Sequence, residues 1–286
     1  MRHRRPDLRL LALAITLVAG AAGALASAHA SSNRQRVADD HQSPFSSVGR
    51  LDIQSGKDVS TCTATLVGDN RTLITASHCA PPDATRLTFH LGNNGPGIEA
   101  TVYARGDTPN PGNDDDFDNA IPSSGEVRDP SPYWDDWLVL NLAHPVAGPP
   151  LETAADGLIG RLQQGANART PFHIAGFPLD MDSGHAMVWV EGPGIPTFPA
   201  RSWRGAYSVP TAVRTHEGMS GAAVLVEAEG GYAVAGVVSA GEGNETQIVV
   251  GGAGFRSVER KRLEDCRNPA PGLIFGRPCP GRARSR

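Results

Sequence analysis

A strand-like run, Thr72-Leu73-Ile74-Thr75, passes straight into Ala76-Ser77-His78-Cys79, and a second cysteine, Cys62, stands one hairpin's length upstream. Few features constrain a fold more. A strand must enter a turn whose cysteine can be tied to the strand before it. The histidine next to that cysteine then has its backbone fixed on both sides, as a general base requires.

Strand-like runs of similar length surround this block, over residues 48–53, 62–67, 72–76, 86–91, 99–105 and 137–142. Turn formers such as Gly68-Asp69-Asn70 and Gly92-Asn93-Asn94-Gly95 separate them. Six short strands suffice for a small closed β barrel. A second series follows at 172–176, 185–191, 206–209, 222–227, 232–239 and 246–251, with the same count and texture. The reading is all-β: two six-stranded antiparallel barrels, at 47–145 and 167–256, joined by a connector at 146–166. One short helix is expected over 154–162. Another, over 257–265 with Ser257 as N-cap, closes the chain ahead of a basic tail ending at 286. Few aromatics, 33 glycines and 23 prolines fit many short strands better than long helices. A site is expected in the cleft between the barrels.

The first 30 residues stand apart. Four arginines precede an almost wholly apolar stretch, and Ala26-Ser27-Ala28 and Ala28-His29-Ala30 fit small-residue cleavage sites. That is the pattern of a secretory signal peptide, so a secreted or periplasmic protein is expected, with no stable membrane association once the signal is removed. The polar stretch 31–46 reads as a mobile arm or propeptide. Losing residues 1–30 removes four Arg and one Asp, which moves the formal charge from −4 to −7. Such a chain is not a nucleic-acid binder, which would be strongly basic. In an exported chain four cysteines point to two disulfides, with three pairings open. Cys62–Cys79 and Cys266–Cys279 are favoured because each closes a short loop. No CxxC spacing is present, so no metal site is expected. The acidic run 114–118 lacks the glycine and terminal glutamate of a calcium loop and reads as a solvated loop.

Two further segments complete a constellation with His78: Asp135-Asp136-Trp137-Leu138-Val139-Leu140 and Gly218-Met219-Ser220-Gly221. Chain order separates the alternatives. An α/β hydrolase needs its histidine after the serine, and no histidine follows His216. Gly218-Met219-Ser220-Gly221-Ala222 also lacks the last glycine of Gly-x-Ser-x-Gly. His78, Asp136 and Ser220, in that order, each fall at a strand edge or turn.

These blocks resemble the trypsin/chymotrypsin-like serine peptidase family, and its secreted bacterial branches most. Thr75-Ala76-Ser77-His78-Cys79 is similar to T-A-A-H-C, Asp136-Trp137-Leu138-Val139-Leu140 to D-x-A-L-L, and Gly218-Met219-Ser220-Gly221-Ala222 to G-D-S-G-G. Gly236-Val237-Val238-Ser239-Ala240-Gly241 is similar to G-I-V-S-W-G. The resemblance implies a secreted endopeptidase with a polypeptide substrate, acting as a monomer without a cofactor. Ser220 would be the nucleophile, His78 the general base and acid, and Asp136 the residue that orients the imidazole. The backbone N–H groups of Gly218 and Ser220 would form the oxyanion hole. Asp135 is the rival for the acid role, but Asp136 keeps the family's spacing to Leu140.

Departures from the pattern matter too. Met219 stands where the digestive enzymes carry an aspartate that receives a new amino terminus, so activation should not use that ion pair. Six residues before the nucleophile, Arg214 replaces the aspartate of trypsin-like pockets, which argues against basic side chains and, with Thr215, fits acidic ones. Glutamate-specific bacterial enzymes carry a histidine where this chain has Val238. Ser239 to Gly241 should form the extended edge that pairs with substrate backbone. Two other readings use the same residues: a catalytically silent homologue acting as a binding module, and an esterase.

Overall fold

In the computed structural model, residues 34–106, 136–154, 172–192, 206–209, 215–242 and 246–251 are described. The strands in chain order are β1 (Arg34–Arg36), β2 (Val48–Ser55), β3 (Asp58–Leu66), β4 (Thr72–Thr75), β5 (Arg86–Leu91), β6 (Gly97–Arg105) and β7 (Leu138–Leu142). After the connector come β8 (Glu152–Thr153), β9 (Phe172–Gly176), β10 (Val188–Gly192), β11 (Ala206–Val209), β12 (Ala223–Ala228), β13 (Gly231–Glu242) and β14 (Thr246–Gly251). Three single-turn 3-10 segments interrupt them, the most consequential at Ser77–Cys79. Among the described residues no helix is long and apolar enough to cross a membrane.

The first six expected strands close a barrel in the order β2-β3-β4-β7-β6-β5, with β5 returning to β2. Alternation drives this closure. Leu51 and Ile53 of β2, Leu87 and Phe89 of β5, and Leu138, Leu140 and Leu142 of β7 all point into one buried cluster. Full burial of each such side chain contributes about 1.5–3 kcal/mol. On β4 and β7 the opposite face is buried as well. Ile74 and Val139 join Ala175, Ala223, Leu225, Val234 and Val237 in a second cluster, which packs the barrel against the other sheet. Strands buried on both faces lose alternation and read as continuous apolar runs, as Thr72-Leu73-Ile74-Thr75 does.

The second sheet has eight strands among the described residues rather than six. Its path is β1-β10-β9-β12-β13-β14-β11, with β8 parallel to β13, and it does not close among the described residues. Its inner face carries Phe172, Ile174, Val188, Val190, Val224, Val226 and Met219. The two added strands come from stretches read as irregular. In the connector, Leu151 donates to Leu66 O at 3.0 Å and Ala154 to Val234 O at 2.8 Å, so a two-residue strand stitches the sheets together.

From residue 34 onward, the stretch expected as a mobile arm or propeptide packs onto the second sheet. Arg34–Arg36 pair antiparallel with Val188–Val190, the Val37 N–H reaches Met187 O at 3.0 Å, and Val37 is buried. Further along, Asn93 N–H donates to Asp40 Oδ2 at 2.6 Å. An edge strand is held by its backbone, so polar side chains on it are no obstacle. The helices expected over 154–162 and 257–265 fall, apart from Ala154, outside the described residues, as do the acidic run at 114–118 and the cysteines Cys266 and Cys279.

Candidate active site

Strand register brings His78 and Asp136 together. Thr75 of β4 lies opposite Leu138 of β7. Antiparallel continuation therefore places residue 136 beside the turn that follows β4. The Cys62–Cys79 disulfide joins that turn to β3. Asp136 then grips the histidine twice: His78 N–H donates to Oδ1 at 3.0 Å and His78 Nδ1 to Oδ2 at 2.8 Å. The carboxylate is 3% exposed, whereas the imidazole keeps 25% of its surface open.

Electrostatics follow from this burial. Burial by itself disfavours a charged imidazolium, but the charge of Asp136 and its hydrogen bond outweigh that penalty and lift the His78 pKa above its ordinary value. Burial likewise penalises the Asp136 carboxylate. The neighbouring His78, with hydrogen bonds from its ring and backbone and from Ser239, nonetheless holds it below the usual carboxylate range.

Ser220 arrives on a turn from the other sheet, and a buried threonine bolts that turn to the barrel. Thr63 N–H donates to Ser220 O at 2.8 Å, and Thr63 Oγ1 donates to Gly218 O at 2.8 Å while accepting from Phe177 N–H at 3.0 Å. Gly221, at φ +78°, sits so close to β4 that a Cβ would lie 1.9 Å from Thr75 Oγ1. Only glycine fits there, and the fit seats the serine turn against the strand that leads to His78. Ser220 is half-buried.

The backbone around Ser220 is arranged unequally. Met219 N–H donates to His216 O, Gly221 N–H to Val238 O and Ala222 N–H to Met219 O. Among the described residues the N–H groups of Gly218 and Ser220 are bonded to no carbonyl. Gly218 adopts φ +88°, the left-handed region, and a Cβ there would come within 2.3 Å of Phe177 O. The Met219 side chain is fully buried in the second sheet's core.

No family model and no curated protein matches the sequence. Solved structures do match the fold. HL collagenase superposes with a TM-score of 0.60 at 13% identity, over 82% of this chain and 99% of that one. The VesB protease of Vibrio cholerae gives 0.56 at 15% identity, over 82% and 68%, and a Glu endopeptidase 0.54 at 17%, over 81% and 97%. The fold is that of the trypsin-like serine proteases.

Within the trypsin-like fold the other predicted residues divide. Ser239 takes a part beyond the backbone edge expected of it. Its hydroxyl is turned inward as a short hydrogen bond to Asp136 Oδ2, so the carboxylate is shared between the two sheets. The backbone expectation keeps its basis. β13 pairs with β12 only as far as Val237 but with β14 through Glu242, so the edge of β13 around Gly241 runs past the end of β12. Thr215 is buried, and Arg214 lies outside the described residues, as does Asp135.

Cys62, His78 and Cys79 bring ligand-type atoms within 4.8 Å of one another, but both sulfurs are consumed by the disulfide. Sequence reasoning missed Thr63. The available signal was a hydroxyl inside the apolar run 62–67, since a buried polar group needs a partner and its partner marks a junction.

Proposed function

We propose that the protein is a secreted serine endopeptidase using His78, Asp136 and Ser220. The observation that carries this reading is the double grip of one buried carboxylate on the ring and backbone of His78, beside a serine turn seated on β3 and on β4, the strand that leads to His78. Asp136 fixes the tautomer with hydrogen on Nδ1, leaving Nε2 free to accept. Ser220 Oγ would attack the scissile carbonyl as Nε2 takes its proton, and the imidazolium would return that proton to the leaving amine. The Gly218 and Ser220 N–H groups would receive the developing oxyanion; losing one such donor costs about 10²–10³ in kcat. Substrate backbone would pair with β13 near Gly241, with Thr215 and Arg214 at the side-chain pocket.

Met219, where the digestive enzymes carry an aspartate, gives a second reading its footing: a silent homologue that binds polypeptide without cleaving it. A peptide-library cleavage assay on the exported protein, with Ser220→Ala as control, separates the two. Cleavage by the parent and none by the variant is expected, together with fluorophosphonate labelling of Ser220. Equal cleavage by both would remove Ser220 from the mechanism, and an unlabelled, inactive parent would establish the silent reading.

A further inference from the structure

The strand at Arg34–Arg36 is wired to the turn that carries Ser220. Arg34 sends its two terminal nitrogens to the two carboxylate oxygens of Asp180, each at 2.7 Å, and its side chain is only 9% exposed. A fork of this kind is directional and stiff, which a lysine could not reproduce. Asp180 belongs to the loop after β9, and that loop meets the Ser220 turn at two points. His216 Nδ1 stands 3.6 Å from Asp180 Oδ2, and Leu179 N–H donates to Glu217 O at 2.8 Å. Gly218 lies directly against the same loop: a Cβ on it would fall 2.3 Å from Phe177 O and 3.1 Å from Leu179 N. Three successive residues of the turn, His216, Glu217 and Gly218, thus rest on a loop whose charged corner is held by the N-terminal strand. The strand is itself fixed, through its pairing with β10 and the buried Val37.

We propose that β1 is a permanent part of the working molecule and that Arg34, acting through Asp180, is a positioning residue for the Gly218–Ser220 turn. The consequence for catalysis rests on the endopeptidase reading; the clamp itself does not. It explains how a turn with Met219 in place of a charged residue is kept in shape. Packing holds Met219 from inside the sheet, and an ion pair made by the chain's own N-terminal strand holds the turn's outer side. The Asp180 carboxyl, held low by its hydrogen bonds from Arg34, remains charged and available for this pairing across the neutral range.

The test uses the full exported chain, its first residue determined by N-terminal sequencing, with the variants Arg34→Ala, Arg34→Lys and the near-isosteric Asp180→Asn. Activity is expressed per fluorophosphonate-titrated site, so that misfolded molecules do not count. Amide hydrogen exchange is followed at residues 216–220. A displaced turn lowers kcat per titrated site by about 10–10² with KM changed less than about twofold. Arg34→Lys should recover part of the loss, and exchange at 216–220 should quicken in Arg34→Ala and Asp180→Asn. A mature chain beginning after Arg34 would overturn the proposal, as would unchanged kcat per site together with unchanged exchange. If the parent is not labelled at all, the endopeptidase reading fails and exchange alone decides the clamp: faster in the variants supports it, unchanged defeats it.

Discussion

The two sheets of the molecule solve the same architectural problem differently. The first closes on itself with six strands drawn from one continuous stretch, and it supplies both His78 and Asp136 across a single strand pair, β4 and β7. The second borrows β1 from upstream of the barrel and β8 from the connector, and its turn bearing Ser220 is fixed by its own sheet and also by groups outside it, Thr63 above all. Self-closure makes the histidine side of the site a local property of the barrel. On the serine side, geometry depends on contacts made across more than a hundred residues of sequence, such as the separation of 155 between Thr63 and Gly218. Damage should therefore show itself differently in the two halves.

The largest effect should come where both halves meet. Asp136→Asn keeps the shape of the side chain but removes the charge that orients His78 and stabilises its imidazolium, so kcat should fall about 10⁴-fold with little change in folding. A steady-state assay beside a thermal melt checks this, and a loss under tenfold would mean that Asp136 does not serve His78. Next comes the borrowed contact. Thr63→Val leaves Gly218 O without a donor and Phe177 N–H without an acceptor, each a buried loss of about 1–3 kcal/mol. It should also let the Ser220 turn drift, at about 10² in kcat. Leu87→Ala in the self-closed barrel is the matching control. It should cost about 2–5 kcal/mol of stability and leave kcat per titrated site near the parent value. If Leu87→Ala impairs kcat as much as Thr63→Val, the contrast between the halves is wrong.

The same contrast governs what could be read from sequence. The expected boundaries of β5, β9, β11 and β14 coincide with the structure, because each is a short β-prone run flanked by turn formers. The two apolar runs that carry His78 and Asp136 were legible, but the pairing of Thr75 with Leu138 that joins them was not. What escaped notice lacks a periodic signature. β1 consists of Arg, Gln and Arg, β8 has two residues, and both are held through backbone groups that composition does not reveal. From sequence Ser239 belongs to a backbone edge, but alternation alone does not say which partner waits beneath its side chain. Its real partner, Asp136, is 103 residues away in the chain.

Removal of the covalent tie should act on stability more than on chemistry. The Cys62–Cys79 disulfide spans 17 residues, and a loop of roughly that size contributes about 3 kcal/mol by restricting the unfolded chain. Replacing both cysteines with serine should lower the denaturation midpoint accordingly. Since β3 and β4 remain paired through Thr65 and Ile74, molecules that stay folded should keep most of their kcat. A double variant that is fully stable yet inactive would mean that the tie places His78 rather than merely securing it.

The smallest effect tests how the shared carboxylate sets the working pH. His78 must be neutral to accept a proton, and its pKa lies above the ordinary 6.5 because Asp136 outweighs burial. Activity should therefore fall on the acid side along a limb whose midpoint is above 6.5. The same sign applies to stability: the His78 contribution is complete below 6.5 and fades as pH rises through the folded-state value. Ser239→Ala removes one of the donors that spread the charge of Asp136. The freed carboxylate should then bind the imidazolium more strongly, moving the acid limb upward while the plateau drops by about tenfold, the low end of what one hydrogen bond to a charged group contributes. A limb that moves down instead would mean that the hydroxyl from the second sheet raises the basicity of His78, and the division of labour across Asp136 would have to be reversed.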